Sequence, residues 1–506
     1  IMEVILETQG LCKSFGEQKV NNDISLKLHK GEIMAILGEN GSGKTTLINM
    51  ISGLYYPDKG RILYKGKEVK ITSPKDADLL EIGVVHQHFQ LVSNMSATEN
   101  IEIALESHSF KDKNEIKDRI SDIAKKYKFN INPDKKIYEM SVSEKQTMEI
   151  IKAIIKGAEI LILDEPTAVL TPGEAESLFN ILKAMKEDGK SIIIITHKLN
   201  EVLEISDRVY IMRKGRHVDT LLTKKTDGHE LACKMVGQQI NLEIERTEYK
   251  RHNKILEIKN LCCLGRNKKK GLNNISFELF SGEILGVAGI SGSGQKELCE
   301  CINGIRSVSS GAIKYYSHGK EIDLTNKKPE WRNCNNIDFG FVPEDRLGMG
   351  LSPSSNLVDN MMIKNYKNEP GIFLHRKKYE KMAKKIVEKL NVATEDVNTP
   401  VRMLSGGNVQ KVLLGREIAE GRDVLIVSYP VRGLDITSAY MIYNILNKER
   451  EKGTAIIFVG EDLDVLMGIA DRIMVMSDYE VTGIVNPKST TKEYIGSLMM
   501  ETEKVV

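Results

Sequence analysis

The stretch Gly38–Thr45 reads G-E-N-G-S-G-K-T; it follows the apolar run Ile33–Leu37 and precedes the helical pattern T-L-I-N-M-I. This spacing of glycines, lysine and threonine between a buried strand and a helix predicts a phosphate-binding loop. The glycines let successive backbone N–H groups face an anion, and the helix N-terminus adds a positive dipole end. We expect the Lys44 ammonium to reach the phosphates and the Thr45 hydroxyl to ligate Mg²⁺. The residues predicted to bind the phosphates are Gly38, Asn40, Gly41, Ser42, Gly43, Lys44, Thr45 and Thr46.

The run Leu161–Pro166 reads L-I-L-D-E-P, which is a buried apolar strand that ends in two carboxylates. Asp164 suits the Mg²⁺ shell, and Glu165 is placed to polarise an attacking water. A surface Asp-Glu pair is the alternative, and the accompanying phosphate loop disfavours it. The next buried run, I-I-I-I-T-H, ends in His197, which we expect to contact the γ-phosphate.

Two further side chains are candidate site residues only because these motifs are also present in the sequence. Gln87, in V-V-H-Q-H-F, is a candidate ligand of Mg²⁺ or of the attacking water. Phe15 is a candidate for stacking on adenine, with a place in the core as the alternative.

The chain repeats itself with a period of about 250 residues. Asp23–Ile33 returns as Asn274–Ile284 at an offset of 251, and Ser206–Met212 returns as Ala470–Met476 at an offset of 264. The growing offset places extra residues in the middle of the second copy, within 317–400. A period this long indicates a duplicated domain and not a solenoid unit.

We therefore predict two domains, residues 1–240 and 254–506, joined by a polar linker over 241–253. In each copy, buried apolar runs alternate with helical patterns. This alternation predicts an α/β fold around a largely parallel sheet.

Composition argues against several classes of protein. The 506 residues include 72 Lys+Arg and 70 Asp+Glu, a net charge of +2, which argues against a nucleic-acid partner. The seven cysteines form no C-x-x-C pair, so we expect reduced thiols and neither a zinc site nor a disulfide framework. No apolar run reaches the ~18 residues of a membrane-spanning helix.

Together the motifs resemble ATP-binding cassette (ABC) ATPases, twice and over essentially the whole chain. The family's signature, L-S-G-G-Q, is matched by L-S-G-G-N at Leu404–Asn408. The resemblance implies two tandem ABC ATPase domains, each with an antiparallel β subdomain and a helical subdomain beside the core sheet. In this family two cassettes pair head to tail, and each ATP lies between the phosphate loop of one and the signature of the other. The signature residues expected to bind ATP here are Ser405, Gly406, Gly407 and Asn408.

The second copy lacks most of the residues that hydrolysis needs. Its loop, Gly289–Lys296, reads G-I-S-G-S-G-Q-K, and its D-E strand end is replaced by S-Y. The positions that correspond to the lysine, threonine, aspartate, glutamate, histidine and glutamine of the first copy hold Gln295, Lys296, Ser428, Tyr429, Glu461 and Glu344. We expect no hydrolysis by this copy.

The first copy has the complementary defect, because its signature reads M-S-V-S-E at Met140–Glu144 and lacks both glycines. Paired head to tail, the copies would form one complete composite site and one degenerate site. One departure remains at the complete site: Thr171 stands where the family usually has the D-loop aspartate, which the second copy keeps as Asp435.

Fused double cassettes with one good and one poor site resemble the ATPase subunits of bacterial monosaccharide and nucleoside importers. The segments V-H-Q-H-F, V-P-E-D-R and L-I-V-S-Y-P favour the nucleoside branch, whereas M-S-V-S and the tail G-I-V-N-P-K-S-T-T-K resemble the galactoside/ribose branch. We favour nucleosides, with simple sugars as the alternative. A soluble double-cassette factor that acts on ribosomes or DNA is a rival, disfavoured by the short linker.

An importer implies partners that the chain does not contain. These are two integral-membrane permeases, docked near Gln87 and Glu344, and an extracytoplasmic solute-binding protein that acts indirectly. The expected location is therefore the cytoplasmic face of the membrane, as a peripheral subunit without nucleic acid.

Overall fold

The computed structural model divides the chain into two compact units, Ile1–Asn241 and Leu242–Val506. Most of the predicted linker, residues 241–243, 245–246 and 248–252, lies outside the described residues. The structure describes residues 3–86, 89–105, 112–129, 131–167, 170–239, 244, 247, 253–265, 271–290, 292–317, 319–335, 337, 339–365, 374–419 and 421–500.

The first unit contains two sheets and eight α-helices in its described part. Its strands are Val4–Phe15 (β1), Gln18–His29 (β2), Ile33–Gly38 (β3), Lys59–Tyr64 (β4), Lys67–Val69 (β5), Ile82–Val85 (β6), Ile160–Asp164 (β7), Ser191–Thr196 (β8), Arg208–Arg213 (β9) and Arg216–Leu222 (β10). Its helices are Lys44–Ile51 (α1), Pro74–Leu79 (α2), Ala97–Ala104 (α3), Lys113–Tyr127 (α4), Val142–Ile155 (α5), Pro172–Glu187 (α6), Leu199–Ile205 (α7) and Gly228–Val236 (α8).

The core sheet of the first unit has the strand order β10-β9-β3-β8-β7-β6. Its strands are parallel except for β10, which pairs antiparallel with β9. Strands β3 and β8 are buried along their whole length, because a parallel sheet is covered on both faces. The carboxyl ends of β3, β7 and β8 therefore lie at one edge, which is where the sequence places the phosphate loop, the carboxylates and His197.

Alternate residues of β8 enter two different hydrophobic clusters. Ile193 and Ile195 pack in the cluster that holds α1 and the antiparallel sheet β2-β1-β4-β5. Ile192 and Ile194 pack in the cluster of the helical part, α3 to α6. This is the alternation of side chains along a strand, and it joins the antiparallel and helical subdomains to one sheet.

The second unit repeats this architecture. Its strands are Lys254–Cys262 (β11), Ile275–Phe280 (β12), Ile284–Gly289 (β13), Ser310–Ser317 (β14), Lys320–Asp323 (β15), Gly340–Val342 (β16), Val424–Ser428 (β17), Ala455–Val459 (β18), Arg472–Ser477 (β19) and Glu480–Val485 (β20). Its helices are Gln295–Ile302 (α9), Pro329–Cys334 (α10), Leu357–Asn365 (α11), Arg376–Lys389 (α12), Gly406–Ile418 (α13), Ile436–Glu451 (α14), Leu463–Ile469 (α15) and Lys492–Met500 (α16).

The sheets of the second unit have the orders β16-β17-β18-β13-β19-β20 and β12-β11-β14-β15. Element by element, these are the orders of the first unit, so the predicted α/β fold with a parallel core sheet and an antiparallel subdomain is confirmed in both copies. Helices α11, α12 and α13 pack together as the helical part. Within the described ranges of both units, no helix is long and apolar enough to cross a membrane.

Replacing Ile193 tests the central position of β8. The side chain has no exposed surface, so Ile193→Ala is expected to lower the free energy of unfolding by about 2–5 kcal/mol. Leu79, at the end of α2, is 75% exposed, and Leu79→Ala should change it by less than about 0.5 kcal/mol. Urea unfolding followed by circular dichroism measures both variants, and equal effects would contradict the assignment.

Candidate functional site

The loop between β3 and α1 is built for close approach of an anion. Gly41 and Gly43 have φ angles of 79° and 95°, in the left-handed region that favours glycine. A Cβ atom at Gly43 would lie 2.8 Å from the carbonyl oxygen of Val20, so no side chain fits there. The helix then begins at Lys44 with its N-terminus directed at the loop.

The Lys44 ammonium lies buried over the loop. It donates to the carbonyl oxygens of Gly38, at 2.7 Å, and Glu39, at 3.0 Å. Burial lowers the pKa of Lys44, and the carboxylates of Glu165 and Asp164 partly oppose that shift. A cation held by neutral carbonyls between two acids is suited to bind the phosphates of a nucleotide.

The loop also offers polar groups that a phosphate would satisfy. The hydroxyl oxygen of Ser42 is fully buried and has no hydrogen-bond partner, which is costly unless a ligand supplies one. Asn40 and Thr45 are exposed, and Thr46 is half-buried in the first turn of α1. The residues predicted from the G-x-x-x-x-G-K-T pattern thus fit the group they are expected to bind.

Contacts from residues far away in the sequence fix the loop, and these residues were not predicted as part of the site. The amide Nδ2 of Asn21, a fully buried side chain, donates to the carbonyl of Gly43 at 3.1 Å. The backbone N–H of Gly215, in the turn between β9 and β10, donates to the carbonyl of Ser42 at 3.1 Å. A Cβ at Gly215 would lie 2.2 Å from the carbonyl oxygen of Val20, so this turn requires glycine. No motif signal marks these residues in the sequence.

The carboxyl end of β7 presents two carboxylates with opposite pKa shifts. Burial, followed by the neighbouring Glu165 carboxylate, raises the pKa of Asp164 to about 6. The hydrogen bond from His197 lowers the pKa of Glu165. Glu165 therefore stays ionised at neutral pH, whereas Asp164 gains from a cation placed beside it.

Glu165 and His197 meet across neighbouring strands. Glu165 adopts a φ of 48°, and its N–H donates to the carbonyl of Ile195 in β8 at 2.9 Å. His197 Nδ1 lies 2.9 Å from Glu165 Oε1. The structure thus brings together Lys44, Asp164, Glu165 and His197, as predicted from their positions at strand ends.

Glu201, in α7, binds the segments that carry Glu165 and His197. It was not predicted from the sequence. Its Oε1 accepts from the hydroxyl of Thr167 at 2.5 Å, and its Oε2 accepts from the hydroxyl of Thr196 at 3.2 Å. The ammonium of Lys198 lies 2.9 Å from Oε1. The only sequence signal is an acidic residue in the helix that follows the histidine.

Phe15 is an exposed aromatic residue and not a core residue. Its side chain is 45% exposed at the end of β1. The ring packs edge-on against Tyr55, with centroids 5.2 Å apart and an interplanar angle of 72°. An exposed ring face held by a second aromatic ring is suited to stack on a base.

The predicted metal ligands are placed only in part. Gln87 lies outside the described residues. Thr45 and Asp164 sit in α1 and at the end of β7. Among the described residues, no group of three or more His, Cys, Asp or Glu side chains could hold a metal ion. Mg²⁺ is commonly held by one or two protein oxygens together with waters and substrate phosphates.

The second unit keeps the backbone of the site but not its chemistry. Gln295 occupies the lysine position, and its Nε2 donates to the carbonyl of Ile290 at 3.0 Å. Tyr429 occupies the glutamate position with the same φ of 48°, and its N–H donates to the carbonyl of Val459 at 2.9 Å. The exposed carboxylates of Glu344 and Glu461 both pair with Arg432.

The two signature segments differ at the helix N-terminus. In the first unit, Ser141 and Glu144 form a capping box: the Ser141 hydroxyl accepts from the Glu144 N–H at 3.1 Å, and the Glu144 carboxylate accepts from the Ser141 N–H at 2.7 Å. The Glu144 carboxylate also accepts from the Lys135 ammonium, 2.8 Å away, so side chains already satisfy this helix N-terminus. The S-x-x-E pattern of Ser141–Glu144 could have identified this cap from the sequence.

In the second unit the same turn is left open. Ser405 is the N-cap of α13 but makes no side-chain cap hydrogen bond. Its hydroxyl instead accepts from Asn408 Nδ2 at 2.8 Å, and Asn408 Oδ1 accepts from the N–H of Ala393 at 2.9 Å. Gly406 and Gly407 leave the first turn without side chains, so its N–H groups can face an anion.

Thr171 and Asp435 perform the same structural task in the two units. Thr171 is the N-cap of α6 and accepts from the N–H of Glu174 at 3.3 Å. Asp435 is the N-cap of α14 and accepts from the N–H of Ser438 at 2.7 Å. Both residue types are good N-caps, so the substitution of threonine for aspartate keeps the helix start.

Comparison with known proteins gives a family match in both units. Residues 21–168 and 272–431, more than half of the chain, match the family described as ABC transporter. The nucleoside import ATP-binding protein NupA of Lactococcus lactis subsp. cremoris is 39% identical over 503 residues, 98% of each chain. The ribose import ATP-binding protein RbsA of Bacillus licheniformis is 33% identical over 497 residues, 97% of this chain and 99% of that one.

A solved structure matches the chain in fold. The archaeal ribosome recycling factor aABCE1, in complex with the ribosomal stalk protein aP1, aligns with a TM-score of 0.63 over 97% of this chain and 92% of its own. Its sequence is 17% identical, so the likeness concerns the fold alone.

The raised pKa of Asp164 predicts a pH-dependent stability. Folding raises this pKa from 3.8 to about 6, so ionisation of the carboxyl weakens the folded chain increasingly as the pH rises through that interval. In a chelator and without nucleotide, Asp164→Asn is expected to stabilise the chain at neutral pH by on the order of 2 kcal/mol. The gain should vanish as the pH falls towards 4.

Asp58 serves as the control for this prediction. Hydrogen bonds from Lys13 and the Ser14 N–H lower its pKa, so Asp58→Asn is expected to give no gain at neutral pH. Thermal unfolding of both variants across the pH range measures the effect. A loss of stability in Asp164→Asn at neutral pH would contradict the burial of an ionised carboxyl at this position.

Proposed function

The chain belongs to the ABC transporter family, and on that premise we propose that it is the ATP-hydrolysing subunit of a bacterial importer of nucleosides. The observation that carries the proposal is the set Lys44, Asp164, Glu165 and His197 at one sheet edge of the first unit. The second unit repeats the fold without this set, so only one catalytic centre is proposed.

We infer that the competent centre combines the phosphate loop of the first unit with the signature of the second. The support is the opposite state of the two signature helices. A capping box closes the first at Ser141–Glu144, whereas the N-terminus at Ser405 is uncapped and flanked by two glycines. The complementary pairing would join the degenerate loop to the closed signature.

In this proposal each residue of the first unit has one role. Lys44 binds the β- and γ-phosphates, and Phe15 stacks on adenine. Glu165, kept ionised by His197, orients the attacking water and accepts its proton. Asp164, Thr45 and Gln87 would hold Mg²⁺, which neutralises charge on the phosphates when bound.

The second unit would act through binding and motion, without hydrolysis. Gln295 brings no charge to the phosphates, and Tyr429 cannot act as a base towards water at neutral pH, because burial raises its pKa further. ATP binding would close the two units and hydrolysis would reopen them, which links nucleotide state to permease orientation.

The proposed partners follow from importer function. Two integral-membrane permeases would dock near Gln87 and Glu344, and an extracytoplasmic solute-binding protein would deliver the solute. The chain would then lie at the cytoplasmic face of the membrane. The proposed domains are residues 1–240 and 254–506, with the linker between them.

Nucleosides are favoured over sugars by two independent supports. The identity to the nucleoside import protein, 39%, exceeds the identity to the ribose import protein, 33%. The second unit also has V-P-E-D-R and lacks the D-E strand end. Ribose- or galactose-type sugars are the alternative, and a ribosome-associated factor has no support beyond a shared fold.

Replacing Glu165 tests the catalytic assignment. Glu165→Gln removes the ionised base while keeping its shape, so ATP hydrolysis by the full chain is expected to fall by about 10²–10⁴-fold with ATP still bound. Tyr429→Phe changes the corresponding position of the second unit and is expected to keep turnover, as is Gln295→Ala. Phosphate release measures all three, and wild-type turnover in Glu165→Gln would overturn the assignment.

An uptake experiment tests the solute. Cells that express the chain with its two permeases and binding protein are given radiolabelled uridine or ribose. Nucleoside uptake that Glu165→Gln abolishes is the expected result, because the transporter then lacks hydrolysis. If the cells take up ribose and no nucleoside, the proposed solute is a sugar and not a nucleoside, and the ATPase assignment is unaffected.

A further inference from the structure

The first turn of α13 is contacted from one side by Arg346, the arginine of the V-P-E-D-R segment. Arg346, in the turn after β16, directs Nη1 at the carbonyl oxygen of Gly406, 3.4 Å away. A Cβ built on Gly406 would lie 3.7 Å from the same nitrogen. The guanidinium therefore lies directly against the signature turn.

The other nitrogen of Arg346 reaches the loop after β17. Nη2 donates to the carbonyl oxygen of Arg432. This loop leads to Asp435, whose carboxylate lies 3.8 Å from the position of a Cβ at Gly407. Arg346 thus bridges the signature turn and the segment that supports its opposite side. The planar guanidinium suits this task, because it offers donors in two fixed directions.

An ion-pair network fixes the loop that Arg346 reaches. The guanidinium of Arg432 pairs with the Glu344 carboxylate and lies 3.4 Å from Glu461. These two acids stand at the glutamine and histidine positions of the site. The Arg432 side chain also lies 6.0 Å from the ring centre of Tyr429. The Arg432 guanidinium therefore links Glu344 and Glu461, whose counterparts in the first unit are expected to contact the nucleotide and the metal ion.

The two arginines occur only in the copy with an intact signature. Counted from the glutamine position, Arg346 corresponds to Phe89 of the first copy. Counted from the strand end, Arg432 corresponds to Ala168, which lies outside the described residues. The first copy has a closed signature and lacks both charges.

The body of α13 is anchored without Arg346. Glu417 accepts from the N–H of Phe341 at 3.0 Å, and Arg416 donates to the carbonyl of Gly350 at 2.7 Å. Both contacts are at the far end of the helix. Loss of the Arg346 side chain is therefore expected to loosen the first turn and to leave the helix folded.

We propose that Arg346 is a positioning residue for ATP hydrolysis: it holds the signature turn Ser405–Gly407 against the loop that Arg432, Glu344 and Glu461 fix. The proposal rests on the proposed function, in which this turn completes the competent centre. Arg346 acts through the turn and does not itself bind the nucleotide.

Arg346→Ala in the full chain tests the proposal. The expected result is a loss of about tenfold in kcat, which equals about 1.4 kcal/mol, because fewer closed states have the turn in place. The Kd for MgADP should stay within about twofold of wild type, since the phosphate loop of the first unit is unchanged. Arg346→Lys should recover part of kcat, because an ammonium reaches only one of the two carbonyls at a time.

Arg402→Ala is the matched control. Arg402 lies four residues before Gly406, its side chain is exposed, and within the described residues it makes no side-chain hydrogen bond or ion pair. The Arg402→Ala substitution removes the same positive charge near the signature, and its kcat is expected to equal that of the wild type. If Arg346→Ala has the same thermal midpoint as the wild type, unfolding is excluded as the cause of its lower kcat. If Arg346→Ala unfolds, the kcat of the folded Arg346→Lys variant tests the proposal instead.

The outcomes separate the two levels of the proposal. Wild-type kcat in both Arg346 variants, or an equal loss in Arg402→Ala, overturns the positioning role. If Glu165→Gln is inactive in the same assay while the Arg346 variants are unaffected, only this inference fails. If Glu165→Gln hydrolyses ATP at the wild-type rate, the proposed function fails first.

Discussion

The buried ammonium of Lys44 is the interaction on which the site of the first unit depends. It lies beside two carboxylates, yet its hydrogen bonds go to the carbonyls of Gly38 and Glu39. The carboxylates therefore act on Lys44 through space. They raise the pKa that burial lowers in Lys44, and the Lys44 ammonium lowers the pKa that burial raises in Asp164. Only a sheet with β3, β8 and β7 as neighbours brings these charges to one edge, because parallel strands end together.

The two signature helices illustrate how one side chain decides the chemistry of a helix N-terminus. At the third position of the first turn, the first unit has Glu144 and the second has Asn408. The carboxylate accepts from the backbone N–H of Ser141 and pairs with the Lys135 ammonium, whereas the amide bonds to Ser405 and leaves the turn open. The asymmetry that we propose for the two ATP sites therefore needs no difference in fold, only different side chains on the same backbone.

Much of the site could be predicted from the sequence, because its residues stand at the ends of strands with strong patterns. The glycine-rich loop, the D-E pair and His197 are examples, and the structure places all of them at one edge. The supports of the site could not be predicted in this way. Asn21 and Gly215 contact the loop from separate parts of the chain, and Glu201 joins two segments through hydroxyl groups. Such contacts depend on packing and leave no local spacing to read.

The sequence by itself determined the duplicated α/β fold, the position of the phosphate loop and the loss of catalytic side chains in the second copy. These follow from residue type and local periodicity, which act over a few neighbouring residues. Only the tertiary structure decided that Arg432 bridges Glu344 and Glu461 and that Arg346 contacts the signature turn. The reason is physical: hydrogen bonds and ion pairs require atoms to meet in space, and most of these partners are brought together only when the sheet and its helices are packed.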